Sequence, residues 1–159
     1  MLTPAMAPVC RKYSGHTVGM MQQLQLGDQI LLYDRPRTEA AYSMMKTGDA
    51  ERCGCTSCQN FAAQRTVVYP ARFRTMLKQL GIDEEKEGEV YEYGVDGSLW
   101  RYDGWFYLSG ELLQPGEQMT DAGSGFQFYF ADASRLPKPV ADFGDRVLAI
   151  EFTESRYLG

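Results

Sequence analysis

A stretch of alternating residues in the second half of the chain limits the fold more than any other feature. From Glu89 to Leu113 the sequence EVYEYGVDGSLWRYDGWFYLSGELL places aromatic and branched residues at a period of two. Successive side chains of a strand point to opposite faces, so this period predicts β-structure. Asp-Gly pairs at 96–97 and 103–104 are typical of tight hairpin turns. The pattern therefore predicts antiparallel strands joined by short turns.

The first of these turns also predicts a register. A two-residue turn at 96–97 places Tyr93 opposite Trp100 and Tyr91 opposite Tyr102. Residues that face each other across an antiparallel pair lie on the same side of the sheet. We therefore expect cross-strand aromatic pairs on one face.

Other segments add strands to this sheet. WFYL at 105–108 is apolar at every position, which is typical of a central strand. QILLYDRP at 29–36 fits either a buried strand or the last turns of a helix, because a short apolar run does not separate the two. Two later strands are predicted to turn alternate residues inward: Phe126, Phe128 and Phe130 in the first, and Leu148, Ile150 and Phe152 in the second. The segment between these two strands, 133–145, contains two prolines and is predicted to be a loop.

Helix signals occur in the first half of the chain. Residues 38–48 have apolar residues at helical spacing between a capping Thr38 and Gly48. Residues 57–65 follow a Thr56 to Gln59 capping box. The clearest helix covers 70–81, with proline at its first position, glycine at its end and one apolar face. We predict one α+β domain over 1–159, in which four to six antiparallel strands pack against two or three helices, with 1–15 as a flexible N-terminal arm.

Composition excludes several classes of function. The 159-residue chain is long enough for one buried core, and its net charge of −5 argues against a protein that binds the phosphate backbone of nucleic acids. No apolar run approaches the roughly 20 residues that span a bilayer, and the first residues lack a signal-peptide pattern. We expect a cytoplasmic protein without nucleic-acid or membrane partners. In a reducing compartment its four cysteines are not expected to form structural disulfides.

Three of the cysteines lie within six positions, in the segment RCGCTSCQN. Thiolates are good zinc ligands, and Cys55 and Cys58 have the C-x-x-C spacing of a zinc-binding hairpin. With Cys53 they supply three of the four ligands of a structural site. The candidates for the fourth ligand are Cys10, His16, a carboxylate or a residue of a second chain.

Two other interpretations of the cysteines remain open. A Cys-Thr-Ser-Cys pair at a helix start is expected to have a lowered thiol pKa, as in redox dithiols, although the preceding residues do not form the strand of a thioredoxin-like unit. Alternatively, the thiols are small apolar side chains packed beneath a loop. The sequence alone does not decide between metal binding, redox chemistry and packing.

Few other segments suggest chemistry. None of the common nucleotide-binding, serine-hydrolase or zinc-protease motifs occurs, and His16 is the only histidine, which leaves little for general-base catalysis. The acidic run DEEKEGE at 83–89 is expected to be a solvated loop. The aromatic hairpin could instead line an interface or a pocket, since tyrosine and tryptophan are common at binding hot spots. The candidate binding residues are Trp100, Tyr102, Trp105 and Tyr107.

Five segments stand out in order along the chain: CGCTSCQNF, the helix ending LGID, GEVYEYG, YDGWFYLSGEL and the final VLAIEF. Together they resemble an uncharacterised family of small bacterial cytoplasmic proteins. The family pattern C-x-C-x-x-C-x-N-[FY] matches the three clustered cysteines and Asn60, and its GGW[FY] strand motif matches from Gly104 onward, with Asp103 in place of the first glycine. The resemblance covers about Cys53 to Phe152. It implies roles for Asn60 and Trp105 but no reaction.

The sequence favours a non-enzymatic binding or interaction protein whose cysteines form a small structural site, with zinc as the candidate cofactor. Its partner would be a protein or a small molecule, and its oligomeric state is not predicted. The competing hypothesis is a thiol-dependent redox enzyme or sensor that uses Cys55 and Cys58.

Overall fold

In the part of the chain that the structure describes, an antiparallel sheet packs against four α-helices. The computed structural model describes residues 21–96 and 99–158, with side chains at 21–92 and 101–154. The helices are α1 (Arg35–Ser43), α2 (Asp49–Cys53), α3 (Thr56–Val68) and α4 (Ala71–Leu80). The strands are β1 (Gln22–Leu26), β2 (Gln29–Tyr33), β3 (Glu89–Asp96), β4 (Leu99–Gln114), β5 (Thr120–Gly123), β6 (Phe126–Asp132) and β7 (Val147–Leu158).

The predicted α+β class is confirmed, with helices mainly in the first half and strands mainly in the second. The described residues form seven strands rather than four to six, because β1 and β5 add a short strand near each end of the sheet. They form four α-helices rather than two or three, because the sequence pattern does not indicate the short α2, which ends at Cys53. The predicted arm at 1–15 lies outside the described residues.

Strand β4 is the centre of the sheet. The order is β1-β2-β4-β7-β6-β5, and β3 pairs with the first half of β4 while β2 pairs with its second half. All these pairings are antiparallel. The predicted central strand at 105–108 is confirmed, since all four side chains are buried.

One face of the sheet packs against the helices and forms an aromatic core. Phe126, Phe128, Phe130, Leu148, Ile150 and Phe152 are all buried, which confirms their predicted inward direction. The core helix α4 is confirmed over most of its predicted length, and its Phe73 ring lies 4.6 Å from that of Phe126. The helix ends at Gly81, whose φ of 82° favours glycine.

The predicted hairpin register is wrong, by two residues next to the turn and by one residue beyond a bulge. Asp96 belongs to β3 and pairs with Leu99, so the connection is 97–98, and a bulge between Glu92 and Gly94 changes the offset again. As a result Tyr91 pairs with Asp103 instead of Tyr102. A one-residue slip moves a side chain to the other face, which explains why Tyr91 is 43% exposed and Tyr102 only 1%.

The second predicted turn, at 103–104, is also wrong, because β4 continues through it without a break. Gly104 serves close packing instead: a Cβ atom there would lie 2.4 Å from the backbone oxygen of Glu89 and 2.8 Å from the Phe152 ring. The glycine therefore allows β3 and the core to approach β4.

Two helix starts differ from prediction. Helix α1 begins before Thr38, because the Asp34 side chain accepts a hydrogen bond from the backbone N–H of Arg37, and it ends at Ser43, before Gly48. Helix α3 covers the predicted segment 57–65, but it starts one residue earlier, at Thr56, and its N-cap is Cys55 instead of Thr56. The Gln59 side chain donates to the backbone oxygen of Gly54 rather than completing a capping box.

A buried glutamine links two parts of the sheet that are not neighbours in strand order. Gln29 on β2 is 2% exposed. Its amide group donates to the backbone oxygen of Phe130 at 2.8 Å and accepts from the backbone N–H of Phe130 at 2.9 Å. The side chain thus pairs with β6 as the backbone of another strand would, and it ties β2 to β6, two strands that are not neighbours in the sheet.

Candidate metal centre

The three clustered cysteines lie where two helices meet. Cys53 is the last residue of α2, Cys55 is the N-cap of α3 and Cys58 lies in its first turn. Gly54 ends α2 in the left-handed conformation, with φ of 66°, and the next residue already caps α3. The thiols of both helices therefore lie close together; we call Cys53, Cys55 and Cys58 the cysteine cluster.

The geometry of the cysteine cluster is compatible with one shared metal ion. The three Sγ atoms all lie within 4.8 Å of one another. Tetrahedral zinc with Zn–S bonds of about 2.3 Å requires S···S separations of roughly 3.8 Å. Small side-chain rotations would therefore bring the sulfurs onto one ion. Among the described residues, no other group of three cysteine, histidine or acidic side chains meets the same distance criterion.

The three thiols have different surroundings. Cys53 and Cys55 are exposed, whereas Cys58 is 5% exposed. A hydrogen bond with the Ser57 hydroxyl, 3.3 Å from Cys55 Sγ, together with the Cys58 backbone amide and the neighbouring thiols, lowers the pKa of Cys55 to about 6. Burial, together with hydrogen bonding to the other two cysteines, raises the pKa of Cys58. The lowered pKa of Cys55 favours its thiolate form at neutral pH, whereas the raised pKa of Cys58 favours its thiol form.

Asn60 and Tyr102 fix the first turns of α3 to the sheet. The Asn60 Nδ2 group donates to the Tyr102 hydroxyl at 2.7 Å, and that hydroxyl donates to the backbone oxygen of Ser57 at 2.9 Å. The ring of Tyr102 also packs edge-on against Phe61 at 5.2 Å. These contacts hold the helix turn that carries Cys58, and Asn60 contributes to them through its bond to Tyr102.

A buried ion network holds the other helix of the site. Arg65 Nε lies 2.6 Å from Glu87 Oε1, its Nη1 lies 2.7 Å from Glu51 Oε1, and Tyr69 donates to Glu87 Oε1 at 3.1 Å. The Glu87 side chain is fully buried and that of Arg65 is 11% exposed. We call Glu51, Arg65, Tyr69 and Glu87 the Arg65 network. Because Glu51 lies on α2 and Arg65 on α3, the network fixes the two cysteine-bearing helices relative to each other.

The two carboxylates of the Arg65 network have opposite pKa shifts. Burial raises the pKa of Glu87 and outweighs the effect of Arg65. At Glu51 burial also acts to raise the pKa, but hydrogen bonds from Arg65 and backbone amides outweigh it and the pKa is lowered. The difference follows from exposure, since water solvates the Glu51 carboxylate and not that of Glu87.

The prediction that the acidic run at 83–89 is a solvated loop is wrong for part of the segment. Glu87 is 0% exposed, and its backbone oxygen accepts a hydrogen bond from Asp49 at the start of α2. A buried carboxylate needs a cationic partner, and Arg65 lies 22 positions away along the chain. Local charge patterning does not reveal such a pair, so the sequence reasoning missed both residues.

The structure does not bring together every residue that the sequence singled out. Cys10 and His16, the candidates for a fourth ligand, lie outside the described residues, as does the side chain of Trp100. Tyr102, Trp105 and Tyr107 are 1%, 8% and 5% exposed. Tyr107 and Trp105 pack against the backbone of Gly88, and their role in binding stays a prediction.

Comparison with known proteins leaves the chain without an assigned relative. No protein-family model matches it, and neither a curated protein nor a solved structure does. Within the described residues, no helix has the length and apolar character needed to cross a membrane.

Proposed function

We propose that this protein binds a thiophilic metal ion through Cys53, Cys55 and Cys58, with Zn²⁺ as the first candidate, and acts as a non-enzymatic binding protein of the cytoplasm. The observation that carries the proposal is the mutual separation of the three Sγ atoms, which is within 4.8 Å. Thiolate ligands favour zinc and other soft ions over magnesium or calcium. A reducing compartment would keep the exposed thiols free to bind.

The surroundings of the cluster support this chemistry. Cys55 already favours the thiolate, and the amide groups at the start of α3 favour negative charge on the sulfur atoms. Cys58 lies beneath the two exposed cysteines, so an ion could approach from the solvent side and meet the buried sulfur last. Zinc would supply no redox chemistry here; it would join the ends of α2 and α3.

Native mass spectrometry of the full chain, purified under reducing conditions, tests the proposal. We expect one Zn²⁺ per chain, and we expect Cys53→Ser, Cys55→Ser and Cys58→Ser each to weaken binding by roughly 100-fold, as the loss of one thiolate ligand should. Protein alkylated with iodoacetamide before metal addition is the control and should bind none. A fully reduced wild-type chain that takes up no Zn²⁺ or Co²⁺ at micromolar concentration would contradict the proposal.

A second candidate function is dithiol redox chemistry at Cys55 and Cys58. The exposed Cys55 thiolate, with the Cys58 sulfur within 4.8 Å, favours it. In this reaction Cys55 Sγ attacks a disulfide substrate and releases one thiolate. The Cys58 thiol then gives up its proton and displaces the substrate's second sulfur, which leaves a Cys55–Cys58 disulfide and a reduced substrate.

Equilibration in glutathione buffers distinguishes the two functions. A redox dithiol forms an intramolecular disulfide reversibly at potentials near those of the glutathione pool, whereas a metal site resists oxidation while it holds Zn²⁺. We expect bound Zn²⁺ to protect all three clustered thiols. Rapid disulfide formation in the zinc-loaded protein would favour the redox function.

A further inference from the structure

The helices that carry the cysteine cluster are held in place by contacts that involve no sulfur atom. Helix α2 is fixed by the backbone bond from Asp49 to Glu87, by the Asp49 side chain accepting from the Val90 N–H at 3.1 Å, and by the Glu51 to Arg65 ion pair. Structural zinc sites in small domains usually supply the energy that orders their ligands. Here the ligand-bearing helices are ordered by other interactions.

The outer side of the cluster faces the solvent. Cys53 and Cys55 are exposed, and the position where Gly54 would carry a Cβ has no atom within 4 Å. The described residues supply only three ligand atoms to this group. Structural zinc sites are normally closed by four protein ligands, whereas a site with three keeps one position for an external ligand.

We infer that the cysteine cluster is an exchange site: a preassembled three-cysteine acceptor whose metal ion takes its fourth ligand from a small thiol or another external donor. This inference rests on the proposed function, because it assumes that the cluster binds metal. It adds that the ion does not hold the fold together and can be passed to and from the chain. The Arg65 network then has a definite role, which is to position Cys53 on α2 toward the two cysteines of α3.

Cobalt(II) substitution in the full chain tests the open position. The sulfur-to-cobalt charge-transfer absorption increases with the number of thiolate ligands, so we expect it to rise in the proportion of three to four when glutathione is added. Cys10→Ser and His16→Ala should bind cobalt as tightly as the wild type. If either change weakens binding as strongly as Cys53→Ser, the fourth ligand is internal and the inference is overturned. An absorption that glutathione leaves unchanged would overturn it as well.

Circular dichroism after chelation tests preassembly. We expect the stripped protein to keep its helical signal and to unfold cooperatively, with a midpoint lowered only by the loss of ligand binding. Loss of helix or of aromatic near-ultraviolet signal on chelation would show that the metal is structural. That result leaves metal binding intact, so it separates failure of this inference from failure of the proposed function, in which no ion binds at all.

A matched pair of variants tests the role of the Arg65 network. Glu51 and Glu84 each pair with an arginine, at 2.7 Å and 2.6 Å, and their side chains are 35% and 34% exposed. Glu51→Gln loosens α2 and should weaken Zn²⁺ binding about fivefold, since an arginine–carboxylate pair contributes modestly when half exposed. Glu84→Gln removes the more exposed ion pair with Arg74 on α4 and should leave the affinity unchanged. Equal affinities in the two variants would show that the network does not position the site.

Discussion

At the scale of single residues, Tyr102 joins the cysteine-bearing helix to the sheet. Its hydroxyl accepts a hydrogen bond from Asn60 and donates one to the Ser57 oxygen, while its ring is 1% exposed. One polar atom therefore satisfies two groups of α3 from a position in the aromatic core. Buried hydrogen bonds of this kind are costly to lose, because the partners stay buried without replacement.

We expect Tyr102→Phe to lower the free energy of unfolding by about 1 to 2 kcal/mol, because it leaves the Asn60 amide and the Ser57 oxygen short of a partner. Urea denaturation measures the change. Tyr129→Phe is the control, since Tyr129 is a half-buried tyrosine of the same sheet whose hydroxyl interacts with the side chain of Glu151, and its cost should be about 0.5 kcal/mol or less. Similar costs in the two variants would show that the hydroxyl of Tyr102 is not important for stability.

At the scale of secondary-structure elements, two glycines show different reasons for the absence of a side chain. Gly104 lies in the middle of β4, where a Cβ atom would collide with the Glu89 oxygen. Gly54 ends α2 in a left-handed conformation with open space around it. The first glycine is required by packing and the second by backbone geometry.

We therefore expect Gly104→Ala to cost about 3 kcal/mol of stability, since β3 or the core must move to admit the methyl group. Gly54→Ala should cost only about 1 kcal/mol, the strain of a left-handed alanine. Gly54→Asn should cost less than Gly54→Ala, because asparagine tolerates this conformation. Thermal or urea denaturation of the three variants checks the order, and an equal cost for the two alanine substitutions would contradict it.

The elements that the sequence predicts well are those whose signals are local. Helix α4 has a proline before it, a glycine after it and a single apolar face, and the structure follows these signals closely. The Phe126, Phe128 and Phe130 alternation is equally local and equally correct. The three cysteines of the cluster lie within six positions of the chain, so the short distances between their sulfur atoms could also be predicted.

The elements that the sequence misses depend on distant residues. The hairpin register differs from the prediction because the strands connect at 97–98, and the bulge between Glu92 and Gly94, which no turn motif indicates, then shifts the pairing back by one residue. The partner of Glu87 is 22 positions away, and the shielding of Trp105 and Tyr107 by Gly88 depends on how the chain crosses the sheet. Pairings of this kind are decided by tertiary packing, which overrides local preference.

At the scale of the whole molecule, the buried charge of Glu87 makes stability depend on pH. Burial raises the pKa of this carboxyl in the folded state above its ordinary value of 4.5. The folded protein thus binds a proton more readily at this position than the unfolded chain does. Its contribution to stability is complete below pH 4.5 and is lost as the pH rises through the folded-state pKa.

We expect the unfolding free energy of the wild type, minus that of Glu87→Gln, to decrease as the pH rises from about 4.5. Glutamine does not titrate, so the difference isolates this carboxyl. Urea denaturation at closely spaced pH values measures it, with Glu84→Gln as the control for a change in charge alone. A difference that increases with pH would show that Arg65 outweighs burial and that the folded-state pKa is lowered.

The Gln29 side chain also bears on self-association. Its amide occupies the backbone N–H and C=O of Phe130, two groups on the side of β6 that β5 leaves uncovered beyond Phe128. Unpaired groups along a strand are a template to which another chain can add. Gln29→Leu should therefore leave the backbone N–H and C=O of Phe130 without hydrogen-bond partners and increase aggregation. Light scattering at rising protein concentration would detect the change. One glutamine, in this view, helps to keep copies of the chain apart in a crowded cell.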